Sequence, residues 1–290
     1  MSMVRPVTTA PRSRLHAGAA LIDGLWKFLY GCAVVFGLAF MLAPVVVIFI
    51  ISLSSAPSVV FPPPGFTLSQ YSEIPAEVFT AFQRSVTLGL CVVLVDLAIC
   101  VPAAFALARG RIPGLRLMEA LFRSPLQIPG IVLAVSFFLG YSQLLRLTEI
   151  NLRNDIKGLI IAHAIMTIPY MLTILTVRMS SLNRHFEEAS HGLGAGLPRT
   201  LWRVVLPQLK PALLTGCFLS FVISFEDVPV TLFLAPGSSS TTVPVVLFNL
   251  AIDSLSPALF AAAILVLVFS FALVFALEFL VGVRRVVSGM

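Results

Sequence analysis

Long apolar runs separated by short polar stretches dominate the chain. We identify six such runs, each close to the roughly 20 residues that a helix needs to cross a bilayer. They cover residues 28–53, 86–107, 126–145, 159–177, 212–234 and 258–281. A membrane β-barrel would show short alternating segments instead. The pattern therefore predicts an all-α integral membrane protein with six transmembrane helices.

Composition supports a membrane protein. Of the 290 residues, 58% are hydrophobic and 11% are charged, which excludes an ordinary soluble domain. We expect a tail at residues 1–24 and one membrane domain at 25–290, whose first run is too long for a signal peptide. The four cysteines, Cys32, Cys91, Cys100 and Cys217, all fall in predicted spans, so we expect small buried hydrophobes rather than disulfides or a metal site.

The basic residues predict the orientation in the membrane. All but four of the 19 Lys and Arg residues fall in the N-terminal tail, the second and fourth inter-helix loops or the C-terminus. The four exceptions are Arg84, Arg146, Arg153 and Lys157. Both termini and the fourth loop are therefore predicted to be cytoplasmic. This asymmetry and contact with anionic lipid account for the net charge of +6, without a nucleic-acid partner.

Two loops have a distinct composition. Residues 54–83 are rich in proline and read as an external loop with a short interfacial helix near residues 72–80. Residues 182–207 form the longest polar-rich stretch between two apolar runs, and their small residues allow another protein to approach closely. There, Gly196 is expected to end a helix and Pro198 to begin the next. Any of these features alone also fits a solvated loop.

The fourth loop resembles a motif of the membrane subunits of ATP-binding-cassette importers. That motif reads Glu-Ala-Ala, three residues, Gly, nine residues, then Ile-x-Leu-Pro. Its anchors here are Glu188, Ala189, Ser190, Gly194, Val204, Leu206 and Pro207, with Ser190 replacing an alanine and Val204 an isoleucine. The resemblance implies the type I importer permease fold, with a cytoplasmic coupling helix at 189–196 that docks on an ATPase subunit.

The resemblance also implies the partners. They are a second permease subunit, two ATPase subunits and an external substrate-binding protein, in a bacterial inner membrane. The sequence contains no phosphate-binding Gly-Lys motif, so ATP and Mg are expected in the partner ATPase and no cofactor in this chain. The chain is therefore expected to be a transport subunit and not an enzyme.

Three carboxylates lie inside predicted spans, where each charge costs about 2.5–3.5 kcal/mol. They are Asp96, Glu226 and Asp227, and no Lys or Arg lies deep enough to pair with them. This indicates a cation pathway or protonated carboxyls. In the second run, Gly89, Asp96 and Ala103 recur every seven residues and predict a helix-packing face.

The fifth run carries a polar stripe of Ser220, Ser224, Asp227 and Thr231. Its segment 224–230 resembles the acidic segment of spermidine/putrescine permeases, which implies a substrate role for Asp227 first and Glu226 second. Ser224, Asp96 and the possible cation–π face of Tyr170 are further candidates. A polar contact between helices, and a core role for Tyr170 and Tyr141, stay open as alternatives, and His163 is expected to be a hydrogen-bonded structural residue.

The favoured function is half of an importer pathway for putrescine, spermidine or a similar small organic cation. One alternative is a stand-alone secondary transporter that uses the three carboxylates as proton or sodium sites. Another is a permease for iron, a phosphonate or an opine-like compound. An intramembrane enzyme would need a nucleophile–base pair or a metal set, and the sequence offers neither.

Overall fold

The structure is a computed structural model and describes residues 12–110, 114–236 and 240–281. Its helices are α1 (Arg12–Ser52), α2 (Ala76–Arg109), α3 (Leu115–Arg123), α4 (Gly130–Thr148), α5 (Ile156–Ser181), α6 (His185–Gly192), α7 (Leu197–Thr200), α8 (Leu206–Glu226), α9 (Pro229–Leu234), α10 (Val243–Asp253) and α11 (Pro257–Val281). A π-helical turn, Leu201–Val205, joins α7 to α8.

The prediction of six membrane-crossing helices is confirmed. Within the described ranges, six segments are long and apolar enough to span a bilayer. They are Asp23–Ser52, Ala76–Arg109, Gly130–Thr148, Ile156–Ser181, Leu197–Glu226 and Pro257–Phe279. A helix satisfies its own backbone hydrogen bonds, which is what the hydrocarbon interior demands.

Helices α2, α5 and α8 pack against one another at the centre of the bundle. Glycines permit the close approach: a Cβ on Gly89 of α2 would lie 2.8 Å from the Phe221 ring of α8. A Cβ on Gly216 of α8 would lie 3.0 Å from Met171 of α5. Gly89 and Asp96 are buried and Ala103 is half-buried against the core, which confirms the predicted packing face of α2.

The remaining helices surround this centre in pairs. Helix α4 packs on α9, α10 packs on α2, and α1 packs on α11. Much of α1 stays exposed and apolar, with Phe36 72% and Met41 74% exposed. Cys32 is exposed on the same helix, and Cys91 and Cys217 are half-buried, so the prediction of four buried cysteines is confirmed only for Cys100.

The two ends of the bundle are distinct. Helices α2 and α5 end beside α6, where Arg109 bonds to Glu187. The opposite end holds α9 and α10: Asn154 N–H donates to Leu234 O, and Val243 N–H donates to the Ser85 hydroxyl.

The turns that carry Arg146 and Lys157 lie at this second end, as the charge pattern predicts. The cytoplasmic assignment of the α6 end stays a prediction, and Arg5, Arg111, Arg284 and Arg285 lie outside the described residues.

Several predicted boundaries are wrong. Helix α2 begins at Ala76 rather than at residue 86. The predicted interfacial helix at 72–80 is therefore not a separate element: residues 76–80 belong to α2, and residues 72–75 are irregular. A short 3₁₀ turn, Ser69–Tyr71, comes before it. The predicted tail is helical from Arg12 onward, and residues 1–11 lie outside the described part.

The fifth span differs most from its prediction. It extends over Leu197–Glu226 rather than 212–234. The chain leaves the helix at Asp227, and Pro229 opens the separate helix α9. Proline fixes its own φ and has no N–H, so it favours a new helix start over continuation. Hydropathy alone does not locate this break, because the segments before Glu226 and after Asp227 are both largely apolar.

Candidate coupling helix and intramembrane polar cluster

The candidate coupling helix is α6, His185–Gly192. Before it, the Asn183 side-chain oxygen accepts from His185 N–H at 3.0 Å. After it, Gly194 N–H donates to His191 O at 2.9 Å, and Ala195 N–H donates to Ser190 O at 3.1 Å. These two bonds are those of a Schellman cap, which needs a left-handed residue. Gly194 has that conformation, with φ of +82°.

Two details of the sequence prediction are wrong here. The helix covers His185–Gly192 and not 189–196, and Gly194 rather than Gly196 ends it. Gly196 instead precedes α7, whose first turn contains Pro198 as predicted. Helix ends with several nearby glycines are ambiguous in sequence, because each glycine can adopt the left-handed conformation.

The outward face of α6 carries both charged and apolar groups. Glu188 is exposed, with 68% of its side chain accessible, and accepts at 2.9 Å from His185. Ala189 is exposed as well. Sequence reasoning missed two large apolar residues beside them: Phe186 is 57% exposed and Leu193 is 89% exposed. Exposed apolar groups on a polar loop are typical of a protein contact surface.

The inner side of the loop is tied to the bundle. Ser190, expected to serve a close approach by a partner, lies 2.9 Å from the buried Thr200 hydroxyl and so links α6 to α7. Val205 and Leu209 pack with Met179 of α5 in a buried cluster. Leu206 begins α8, and the exposed Pro207 occupies its first turn. Leu206 and Pro207 therefore form the root of the loop, while α6 forms its tip.

A polar cluster lies among α5, α8 and α9 at the centre of the bundle. His163 is fully buried; its Nδ1 lies 2.9 Å from Ser224 Oγ and its Nε2 lies 3.2 Å from Thr231 Oγ1. Each imidazole nitrogen therefore has a hydroxyl partner. The prediction of a hydrogen-bonded histidine is confirmed, and the stripe on the fifth run faces another helix.

Asp96 belongs to a second contact, between α2 and α5. It is fully buried, and Thr167 Oγ1 donates to its Oδ2 at 2.7 Å. The Ser220 hydroxyl of α8 is also close to this carboxylate. The open alternative of a polar helix–helix contact is thus what this structure shows for Asp96.

Adjacent carboxylates at the α8–α9 break face different surroundings. Asp227 is 9% exposed; its Oδ2 accepts from Thr231 N–H at 3.0 Å and lies 3.7 Å from His163 Nε2. Asp227 therefore has polar partners, and among the described residues no Lys or Arg pairs with it, as the sequence predicts. Glu226 is exposed at the last position of α8. The break lets two consecutive residues point to different environments.

The two candidate tyrosines, Tyr141 and Tyr170, differ in their exposure. Tyr141 is buried, and its hydroxyl donates to Gly158 O at 2.8 Å, so it is a core aromatic. Tyr170 is 38% exposed on α5 and keeps a face available to a ligand or to lipid. Among the residues predicted for substrate, Glu226 and Tyr170 are accessible, whereas Asp96, Ser224 and Asp227 are buried.

The chain is similar in sequence to membrane components of known transport systems. Residues 19–285 match the family described as "Binding-protein-dependent transport system inner membrane component". The chain is 26% identical over 234 residues to the putrescine transport system permease protein PotI of Escherichia coli K12, covering 80% of this chain and 83% of that protein. It is 30% identical over 171 residues to the spermidine/putrescine permease protein PotC of Haemophilus influenzae, covering 59% and 64%.

A relative with a different cargo name is also found. The sulfate transport system permease protein CysT of Salmonella typhimurium is 33% identical over 138 residues, covering 46% of this chain and 50% of that protein. Among solved structures, a bacterial ABC transporter for import of the acidic polysaccharide alginate has a chain with TM-score 0.70 and 21% identity. It covers 95% of this chain and 99% of that one, which shows a shared fold.

Proposed function

Because this chain belongs to the family of inner membrane components of binding-protein-dependent transport systems, we propose that it forms half of the translocation pathway of an ATP-driven importer. Its cargo is putrescine, spermidine or a similar small organic cation. The chain is a transport subunit, and ATP and Mg bind in partner ATPase subunits.

The coupling role of α6 is supported by its exposure and its mounting. Glu188, Ala189 and Leu193 face outward, where an ATPase cleft would receive them. Ser190 and Gly194 hold the helix in shape through the Thr200 contact and the Schellman cap. Leu206 and Pro207 start the membrane helix that continues from the loop. This combination of an exposed tip and an anchored base is the observation that carries the proposal.

The assembly contains two permeases, two ATPases and an external binding protein. Each permease presents one α6 to one ATPase. The exposed side of α1 is apolar, so it suits contact with lipid or with the second permease and is unsuited to contact with water or nucleic acid. In the bacterial inner membrane both termini and α6 face the cytoplasm, in agreement with the distribution of Lys and Arg.

A cationic cargo is supported by Glu226. An exposed carboxylate at an interrupted membrane helix is costly in lipid, so it belongs in a water-filled path. Tyr170 adds an accessible aromatic face. The buried candidates do not face the path directly. Their hydrogen bonds instead connect α2, α5, α8 and α9 around it, through Asp96, Ser224 and Asp227. Relatives named for putrescine and spermidine agree with this cargo, and the relative named for sulfate supplies the rival.

The test is uptake by the reconstituted transporter. The chain is purified with its genomic partners and placed in vesicles with ATP inside and the binding protein outside. We expect ATP-dependent uptake of radiolabelled putrescine that excess spermidine suppresses and sulfate does not. Uptake that follows a proton or sodium gradient without an ATPase would instead establish the secondary transporter. ATP-driven uptake of sulfate alone would keep the importer and reject the cationic cargo.

A further inference from the structure

The C-terminal end of α2 carries an ion pair with the coupling loop. Arg109, the last residue of α2, donates from an Nη to Glu187 Oε1 at 2.8 Å and from Nε to both carboxylate oxygens, at 3.0 Å to Oε1 and 3.3 Å to Oε2. The same Nη donates to Leu182 O at 3.0 Å. One guanidinium therefore joins the ends of α2 and α5 to the first turn of α6.

This pair is sheltered from solvent. The Arg109 side chain is 9% exposed and that of Glu187 is 14% exposed. Surface ion pairs contribute little because water screens them, whereas a sheltered bidentate pair holds its geometry. The neighbouring Glu188 has the opposite arrangement, with a side chain that is 68% exposed. Two consecutive glutamates thus face two different partners.

A second link runs in the reverse direction. Arg184, which precedes α6, donates to Ala108 O at 3.0 Å. That carbonyl lies in the last turn of α2, where helical carbonyls lack helical donors. We name the contacts among Arg109, Glu187, Leu182, Arg184 and Ala108 the α2–α6 joint. Because it connects in both directions, α6 cannot shift along the membrane surface without moving the end of α2.

We propose that the α2–α6 joint transmits the movement of the coupling helix to α2. Helix α2 packs on α5 and α8 at the bundle centre, so a displacement at its end reaches the helices that surround the path. In this arrangement Glu188 faces the ATPase and Glu187 faces the membrane domain. Arg109 and Glu187 are positioning residues, since they touch neither ATP nor cargo. This inference rests on the proposed coupling role of α6.

The experiment compares Arg109→Gln, Glu187→Gln and the double variant in the transporter purified with its ATPase subunits. The readout is cargo imported per ATP hydrolysed, at equal recovery of intact complex, with labelled putrescine or sulfate as the probe. We expect each single change to lower this ratio while the ATPase stays bound, with a loss in the roughly 5- to 150-fold range of coupling between sites. The double variant should lose less than either single one, because it leaves no unpaired sheltered charge.

A matched ion pair serves as the control. Arg123 and Glu119 of α3 lie 2.7 Å apart, but their side chains are 44% and 39% exposed. Replacing both with Gln should leave import per ATP unchanged. The proposal is overturned if the Arg109 and Glu187 variants import normally per ATP, or if they merely release the ATPase. A failure of the unmodified chain to retain any ATPase would instead reject the proposed function itself.

Discussion

The left-handed residue that ends the coupling helix allows a prediction with a defined sign and size. Gly194 has φ of +82°, and a Cβ built there meets nothing within 4 Å. Gly194→Ala therefore introduces no clash, and its cost is that of the left-handed backbone alone, about 1–2 kcal/mol. Since 1.4 kcal/mol corresponds to about a tenfold change, the local opening of α6 should become about 5- to 30-fold more frequent.

The same helix supplies a matched control with the opposite expectation. Gly192 is the last helical residue of α6, and its added Cβ also meets nothing within 4 Å. Gly192→Ala removes a poor helix former and gains up to about 1 kcal/mol, so local opening should become up to about 5-fold rarer. The two variants differ only in the position of one methyl group.

Amide hydrogen exchange of the segment 185–195 in the purified transporter measures both effects. We expect faster exchange with Gly194→Ala and slower exchange with Gly192→Ala, while exchange in the membrane helices stays unchanged. Equal exchange rates in the two variants, or slower exchange with Gly194→Ala, would refute the assignment of a Schellman cap to this loop.

Two further predictions concern the membrane domain. Glu226→Gln should reduce uptake of putrescine at least several-fold with the complex intact, whereas Glu278→Gln, at another exposed carboxylate, should not; equal uptake by both variants would remove Glu226 from the path. Gly89→Ala should lower the free energy of unfolding by about 1–3 kcal/mol, because its Cβ would lie 2.8 Å from the Phe221 ring. Gly140→Ala on α4, where a Cβ meets nothing within 4 Å, should not destabilise, and an equal loss in both would contradict the close α2–α8 contact.

The overall architecture was accessible from sequence because long apolar runs dictate membrane helices. Among the described helices, α10 and α3 fall outside every predicted apolar run. Helix α10 has 11 residues, too few to register as a span, and α3 is a short amphipathic helix between two spans. The start of α2 was placed too late because its first turns, from Ala76 onward, carry polar side chains that lower the local hydropathy.

For the candidate site, the sequence predicts the position of the loop but not the partners of its side chains. Spacing alone located the loop with Glu188 and Gly194, since the motif is local in the chain. The partners of its side chains are not local: Arg109 and Glu187 are 78 residues apart, and Asp96 and Thr167 are 71 apart. The different exposures of Glu226 and Asp227 depend on the break at Pro229, whose geometry appears only in three dimensions.

Docking of α6 on an ATPase subunit can be measured by site-specific cross-linking. A photoreactive amino acid replaces His185, whose side chain is 83% exposed on α6, or Leu147, which is 83% exposed at the other end of the bundle. After illumination of the intact transporter in its membrane, we expect a cross-link to the ATPase from position 185 and none from position 147. Cross-links from position 185 to lipid alone, in a transporter that still retains its ATPase, would contradict this docking.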